Sequence, residues 1–327
     1  MVPATVLVLD VFTQVLLPIL IMFGAGWALD RKWKLDLATV VKLNINIFVP
    51  AFIFYELTTK QLDKDGAWKA IAYTVSVVAV LFVIAGLVGK WRGYSLAQTR
   101  SLQIASGFYN SANYGIPLMH LAFPGPSEAL QVFIVLVQNI GNFTVGIFLV
   151  SSAKNRGWRA VLPMLRQASV WAVTAALIVR GIHGPVNPEE PFDLGWLHVS
   201  AGAMRWLWTP VKYFHDGLVA VALLTLGVQL SKTAARATLP RLGWALTLRL
   251  LVGPLIGWGM ALLFGFHGEL LKTMILSTAF PTAVNTALIA HEFNADTEYA
   301  TGAVFWSTMF SMVTVTALIV LLKLKLV

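Results

Sequence analysis

The chain has 327 residues, of which 57% are apolar and only 12% charged, with 24 Lys and Arg against 15 Asp and Glu and no Cys. A soluble domain carries roughly a quarter charged residues, so this composition excludes an ordinary water-soluble globule and predicts a polytopic membrane protein. Without thiols there are no disulfides, zinc-thiolate sites or thiol catalysis, and the net charge of +9 sits mostly in short loops, a pattern of membrane topology and not of nucleic-acid binding.

The first apolar block, Val6–Leu29, lacks a basic leader and runs too long for the apolar part of a signal peptide, so it is expected to remain as a transmembrane helix. Further spans are expected at Leu37–Leu57, Ala67–Gly89, Leu96–Phe123, Pro126–Ala153, Trp158–Gly181, Pro210–Leu230, Leu242–Phe266, Leu270–Phe293 and Tyr299–Leu322. Each offers the ~20 residues that a hydrocarbon core requires. Short connections suit antiparallel neighbours. The exception is Ile182–Thr209, with Pro185, Pro188, Glu189, Glu190 and Pro191, which divides five spans from five.

Basic residues gather on alternate loops: Arg31, Lys32 and Lys34; Lys90, Arg92 and Arg100; Lys154, Arg156 and Arg159; Lys232, Arg236 and Arg241. The positive-inside rule makes that face cytoplasmic, with both termini outside. The opposite loops carry Lys60, Lys64 and Lys272, offset by Asp63, Asp65 and Glu269, while the last cytoplasmic loop, around Asn294–Glu298, is acidic. An odd number of spans per half inverts the second half relative to the first. The expected fold is therefore all-α: ten transmembrane helices in two inverted five-helix repeats, residues 1–153 and 154–327.

The fourth span of each half is interrupted in the same manner. SLQIASGFYNSANYGIPLM (Ser101–Met119) runs from small residues to Phe108 and on to Asn113, with Gly115 and Pro117 beyond. MILSTAFPTAVNTALIA (Met274–Ala290) runs to Phe280, Pro281 and Asn285, and a gapless offset lays Phe108 on Phe280 and Asn113 on Asn285. Paired broken helices in corresponding positions of two halves point to the binding site of a secondary transporter. Unwound backbone is costly in lipid unless protein or water covers it. Two crossing breaks cover one another, and their half-helix N-termini offer partial positive charge to a carboxylate.

The candidate substrate residues are Asn110, Ser111, Asn113, Pro281, Thr282 and Asn285, with Phe108, Tyr109, Tyr114 and Phe280 as walls. Kink-stabilising hydrogen bonds would also account for single Asn and Ser residues; their paired placement favours binding. Gln138, Asn139 and Asn142 form a polar cluster in the fifth span, and Gln138 and Asn142 share a helical face that could line the cavity or brace the fourth span. Arg249 stands well inside the eighth span, just before Gly253 and Pro254. It is a counter-charge for an anion or, the favoured reading, a snorkelled or internally partnered residue. Lys42, Asn44 and Asn46 stand early in the second span, where Pro50 is expected to kink the helix; His215 and Asp216 are expected to open the seventh span near the outer surface; His120, His291 and Glu292 stand near ends of the broken spans. No predicted midplane carries an acidic residue, and there is no phosphate loop, HExxH or nucleophile elbow. No catalytic residue, metal or cofactor is called for.

At these motifs the chain resembles the auxin efflux carrier family. LNINIFVPAFIFYEL (Leu43–Leu57) resembles the family's second span, NSANYGIPL (Asn110–Leu118) its fourth-span crossover, LLTLGVQL (Leu223–Leu230) the end of its seventh, and AFPTAVNTALIAHEFNAD (Ala279–Asp296) with STMFSMVTVTAL its ninth and tenth. The resemblance implies a fold similar to bile-acid transporters and sodium/proton antiporters. A scaffold of spans 1, 2, 6 and 7 would dimerise, and a transport domain of spans 3–5 and 8–10 would move past it as an elevator. It maps the family's carboxylate-binding Asn onto Asn110 and its ninth-span crossover Pro onto Pro281. Plant members, which export auxin, have Pro where this chain has Tyr109. They also carry a long cytoplasmic loop where Ser152–Trp158 is short, so the likeness is to a compact prokaryotic form.

The expected function is a carrier of small organic anions, carboxylates such as auxin-like molecules, malate or malonate. It would act as a homodimer in the plasma or bacterial inner membrane. Two alternatives stand beside it: a sodium-coupled symporter of the bile-acid type, and a membrane receptor or scaffold with a carrier fold but no turnover.

Overall fold

The computed structural model describes residues 9, 12–59, 64–151, 168–187, 190, 192–193, 198–199, 201–232, 239–292 and 296–324. Lys60, Asp63, the connection Ser152–Trp158 with Lys154 and Arg156, Arg159 at the start of the sixth span, Pro188, Glu189, Pro191, Arg236 and Asn294 lie outside the described residues.

The molecule is built from helices. In order these are α1 (Phe12–Trp33), α2 (Leu37–Thr59), α3 (Lys64–Trp91), α4 (Leu96–Gly107), α5 (111–122), α6 (126–151) and α7 (Ala168–His183). A small hairpin of β1 (Phe192–Asp193) and β2 (His198–Val199) comes next, paired antiparallel through Phe192 with Val199 and Asp193 with His198. The chain continues through α8 (Ala201–Lys232), α9 (Leu239–Leu263), α10 (Gly268–Ser277), α11 (Val284–Glu292) and α12 (Thr297–Lys323). Among the described residues 7 helices are long and apolar enough to cross a membrane: α1, α2, α3, α6, α8, α9 and α12. The fourth and ninth spans arrive instead as two short helices each. The 16 described residues of α7 rise ~24 Å, less than the ~30 Å of a hydrocarbon core.

Polar side chains in the connections set several helix starts. Asp36 accepts from the amides of Ala38 and Thr39 at the head of α2, Ser95 and Gln98 bond reciprocally at the head of α4, and Asp296 accepts from Tyr299 at the head of α12. Wide π turns interrupt α2 at Asn44–Phe48, α6 at Asn142–Gly146 and α9 at Leu248–Val252, and open α1 at Phe12–Leu16 and α5 at Ser111–Gly115. Such turns recur at functional sites because they re-aim side chains without ending the helix.

Helices α1 and α8 approach until backbone meets backbone. A Cβ on Gly26 would lie 2.1 Å from the Leu224 carbonyl oxygen, and one on Gly227 would lie 2.0 Å from that of Phe23. Small residues permit this proximity, the usual basis of helix association in lipid. Large apolar side chains face outward, among them Ile21, Val83, Leu87, Leu255, Leu263 and Val313. In water that belt would be an interaction patch; against acyl chains it is ordinary.

Three expectations need correction. The loop expected at Ile182–Thr209 is shorter, because α7 runs to His183 and α8 begins at Ala201. The extension carries Trp206, exposed, and Trp208, packed on Phe54 and Tyr55, as interfacial aromatics do. His215 and Asp216 consequently lie inside α8. There His215 bonds Asp216 at 2.9 Å and the buried Glu56 at 3.1 Å, and stacks on Phe52. In α2 the irregularity is the π turn at Asn44–Phe48, and Pro50 lies beyond it in unbroken helix.

Candidate functional site

Both breaks are real, and they meet. Helix α4 ends at Gly107 and Phe108 turns extended; α10 ends at Ser277 and the chain passes through Pro281 before α11. Tyr109 and Thr282 face each other as an antiparallel pair. Reciprocal backbone bonds flank them: the Asn110 N–H donates to the Pro281 carbonyl at 2.8 Å, and the Ala283 N–H donates to the Phe108 carbonyl at 3.0 Å. The polar groups freed by each interruption are thus satisfied by the other, as a low-dielectric interior requires.

Side chains from neighbouring helices complete the accounting. On α6, Gln138 accepts from the Tyr109 amide at 3.1 Å and Gln131 donates to the Ser111 carbonyl at 2.7 Å. The Thr282 amide donates to the Ser307 hydroxyl on α12 at 3.0 Å, and its own hydroxyl donates to the Ala105 carbonyl at 2.8 Å. On α2, buried Asn44 donates from Nδ2 to Oδ1 of Asn113 at 2.9 Å. The Phe280 ring packs on Tyr109 and Tyr114, with centroids 6.2 and 5.9 Å away. Gly115 leaves room for it, since a Cβ there would lie 2.5 Å from that ring.

Beside the paired breaks lies a cavity with about 490 Å³ of empty space, counted to its open side. Tyr109, Asn110, Ser111, Ala112 and Asn113 contribute from the fourth span, and Ala283, Val284 and Asn285 from the ninth. Ile45 and Val49 of α2 and Asn139 of α6 close the wall. The helical runs beginning at Ser111 and Val284 therefore start at the cavity, bringing two positive dipole ends to it. Asn110 is buried, and its Nδ2 has no hydrogen-bond partner among the described residues. An unpaired buried amide costs about 1–3 kcal/mol, a cost that a bound acceptor would remove.

Of the candidates from sequence, Asn110, Ser111, Asn113, Asn285 and Tyr109 line this cavity. Thr282 and Pro281 hold the backbone pair together instead. Phe108 packs edge-on against Phe82, and Phe280 sits behind the tyrosines. Tyr114 lines a small, mostly apolar cavity with Ile19, Leu20 and Phe23 of α1, Leu223 and Leu226 of α8, and Thr308 and Met312 of α12; its hydroxyl bonds that of Ser311. Gln138 braces the break and Asn142 is buried off the cavity lining, whereas their neighbour Asn139 reaches it. Asn44 and Gln131 were missed as site residues. Gln131 stands seven residues, two helical turns, before Gln138 on the same face, a stripe that one further step along the sequence reveals.

Arg249 is wholly buried and does not line the cavity. Its Nη1 donates to the Ser106 carbonyl at 2.7 Å, its Nη2 donates to the Thr278 carbonyl, and the guanidinium carbon lies 4.8 Å from the centre of the Tyr109 ring. Its partners are internal.

A helical membrane protein whose two interrupted segments pair beside a polar cavity has the architecture of a secondary transporter. Residues 10–319 match the family model described as membrane transport protein, and the chain belongs to that family, the one of the auxin efflux carriers. It is 23% identical over 305 residues to a protein of Methanothermobacter thermautotrophicus named "uncharacterized transporter", covering 92% of this chain and 95% of that one. It is 22% identical over 287 residues to a Rhizobium meliloti protein named "putative malonate transporter", covering 85% of each.

Proposed function

We propose that this membrane transporter carries small organic anions, carboxylates in particular, and holds them where the fourth and ninth spans cross. The observation that carries the reading is the Asn110 amide, buried and without a partner among the described residues, at a cavity where two helical runs begin. One carboxylate oxygen would accept from Asn110. The other oxygen and the rest of the molecule would meet Asn113, Asn285, Asn139 and the apolar wall of Ile45 and Val49. Malonate is the first substrate to try, because a relative of similar length bears that name.

The transport cycle we infer is of the elevator type, with ten crossings in two inverted repeats. Helices α1, α2, α7 and α8 form the scaffold and dimerise, and α3–α6 with α9–α12 carry the substrate past them. The chain would lie in the plasma or bacterial inner membrane with both termini outside. Export would then run downhill electrically, since one negative charge leaving a negative interior gains ~2.3 kcal/mol per 100 mV.

Uptake and counterflow of labelled malonate in proteoliposomes test the reading. Asn110→Ala is expected to lower uptake about 10- to 100-fold, the worth of a hydrogen bond to a charged acceptor, while the purified variant keeps its thermal stability. Wild-type uptake by that variant would remove Asn110 from the site. Failure of malonate and other short carboxylates either to stabilise the protein or to be transported would remove the substrate class.

A further inference from the structure

We propose that Arg249 is a fixed cation for the transport site: its guanidinium occupies the place that a mobile coupling ion takes in carriers built on crossed broken helices, so that anion movement needs no sodium. In such carriers the half-helix C-terminal ends and unwound carbonyls hold the coupling cation, while the N-terminal ends receive the anion. Here one guanidinium spans both C-terminal ends. Ser106 belongs to the last turn of α4 and Thr278 directly succeeds α10, and Arg249 donates to a carbonyl of each.

The charges balance. Each helix C-terminus carries roughly −0.5 charge, so the two ends together hold about −1, which one guanidinium neutralises. Among the described residues Arg249 has no carboxylate within ion-pair distance; the two carbonyls and the Tyr109 face are its stabilisation. A buried charge is tolerated only with such partners. On the other side of the crossing, the helical runs from Ser111 and Val284 start at the cavity. They leave roughly +1 of dipole charge for a carboxylate.

The surroundings are shaped to the guanidinium. Arg249 sits in the π turn Leu248–Val252 of α9. A Cβ on Gly253, one turn on, would lie 2.8 Å from Arg249 Nη2 and 3.2 Å from the Thr278 carbonyl.

The cation-coupling half of this proposal rests on the carrier reading above; the clamp itself does not, and the test separates the two. The first arm needs no substrate: thermal unfolding of purified wild type, Arg249→Ala, Arg249→Met and Arg249→Lys, each with and without millimolar ethylguanidinium. Arg249→Ala and Arg249→Met should unfold roughly 5 °C or more below wild type, and Arg249→Lys should lie between. Ethylguanidinium should raise Arg249→Ala alone, because only that variant has both an empty seat and the space for it. The second arm is malonate uptake in sodium, potassium and choline media. Wild type should transport equally in all three, Arg249→Met should lose at least about tenfold, and Arg249→Ala should become dependent on added ethylguanidinium. Arg249→Met with wild-type stability, or wild-type uptake that requires sodium, overturns the proposal. If Arg249→Ala gives no folded protein, the Arg249→Met comparison and the wild-type cation series still decide. Absence of malonate uptake by wild type, with the first arm as expected, counts against the substrate class and leaves the clamp standing.

Discussion

At the scale of single residues, the site depends on side chains that never touch the cavity. Gln138 is one. Its Oε1 accepts from the amide of Tyr109 inside the pairing of the two breaks, where no helix supplies a partner. Gln138→Leu keeps the volume and strands that amide, at a cost of about 1–3 kcal/mol. Purified Gln138→Leu is expected to melt several degrees below wild type and to transport more slowly, because the bond positions the residue just before Asn110. Unchanged melting would mean that the amide finds another partner and that Gln138 is dispensable. Gln131 acts on the carbonyl of Ser111 in the same way. Together the two residues explain a polar stripe on an otherwise apolar helix: it meets an interrupted backbone.

At the scale of elements, the interrupted spans were legible because a break in lipid demands local chemistry. Pro281 lies in the ninth-span break, Gly115 and Pro117 follow the fourth-span break within the first turns of α5, and repeated Phe and Asn mark equivalent places. Which polar residues line the cavity and which brace the backbone was not legible. Gln138 and Asn139 are adjacent in sequence, yet one meets the backbone and the other the cavity, and helical phase relative to a neighbour fixes that difference. The π turns add to it, since each rotates the side chains of the next helical turns, as with Asn44 and Arg249. The start of α8 was misplaced because Trp-rich interfacial helix reads as loop when only apolar runs are counted. Contact between α1 and α8 is likewise a matter of phase. Gly24 and Gly26 share α1, but a Cβ on Gly24 meets nothing within 4 Å while one on Gly26 meets the backbone of Leu224. Gly26→Val is therefore expected to cost at least about 1–3 kcal/mol and Gly24→Val close to nothing, read as melting temperature in one detergent. Equal effects would show that the two helices are free to separate.

At the scale of the whole molecule, the proposed elevator requires a seam along which one group of helices slides past another. The second cavity lies on such a boundary: α1 and α8 line one side through Phe23, Leu223 and Leu226, and α5 and α12 the other through Tyr114, Thr308 and Met312. The lining there is almost wholly apolar, so sliding along it exchanges dispersion contacts, each individually small. The chain has no Cys, so engineered thiols are unambiguous. A Leu226→Cys, Met312→Cys pair bridged by a short bifunctional maleimide joins the proposed scaffold to the proposed transport domain and should stop uptake. Each single variant treated alike should continue. A second pair, Asp30→Cys with Ser231→Cys, joins α1 to α8 at residues that already share a hydrogen bond and should leave uptake largely intact, because both helices belong to the proposed scaffold. If the Leu226–Met312 bridge forms in high yield and transport persists, the two groups do not move past one another. The anion would then have to cross by smaller rearrangements around a stationary crossing.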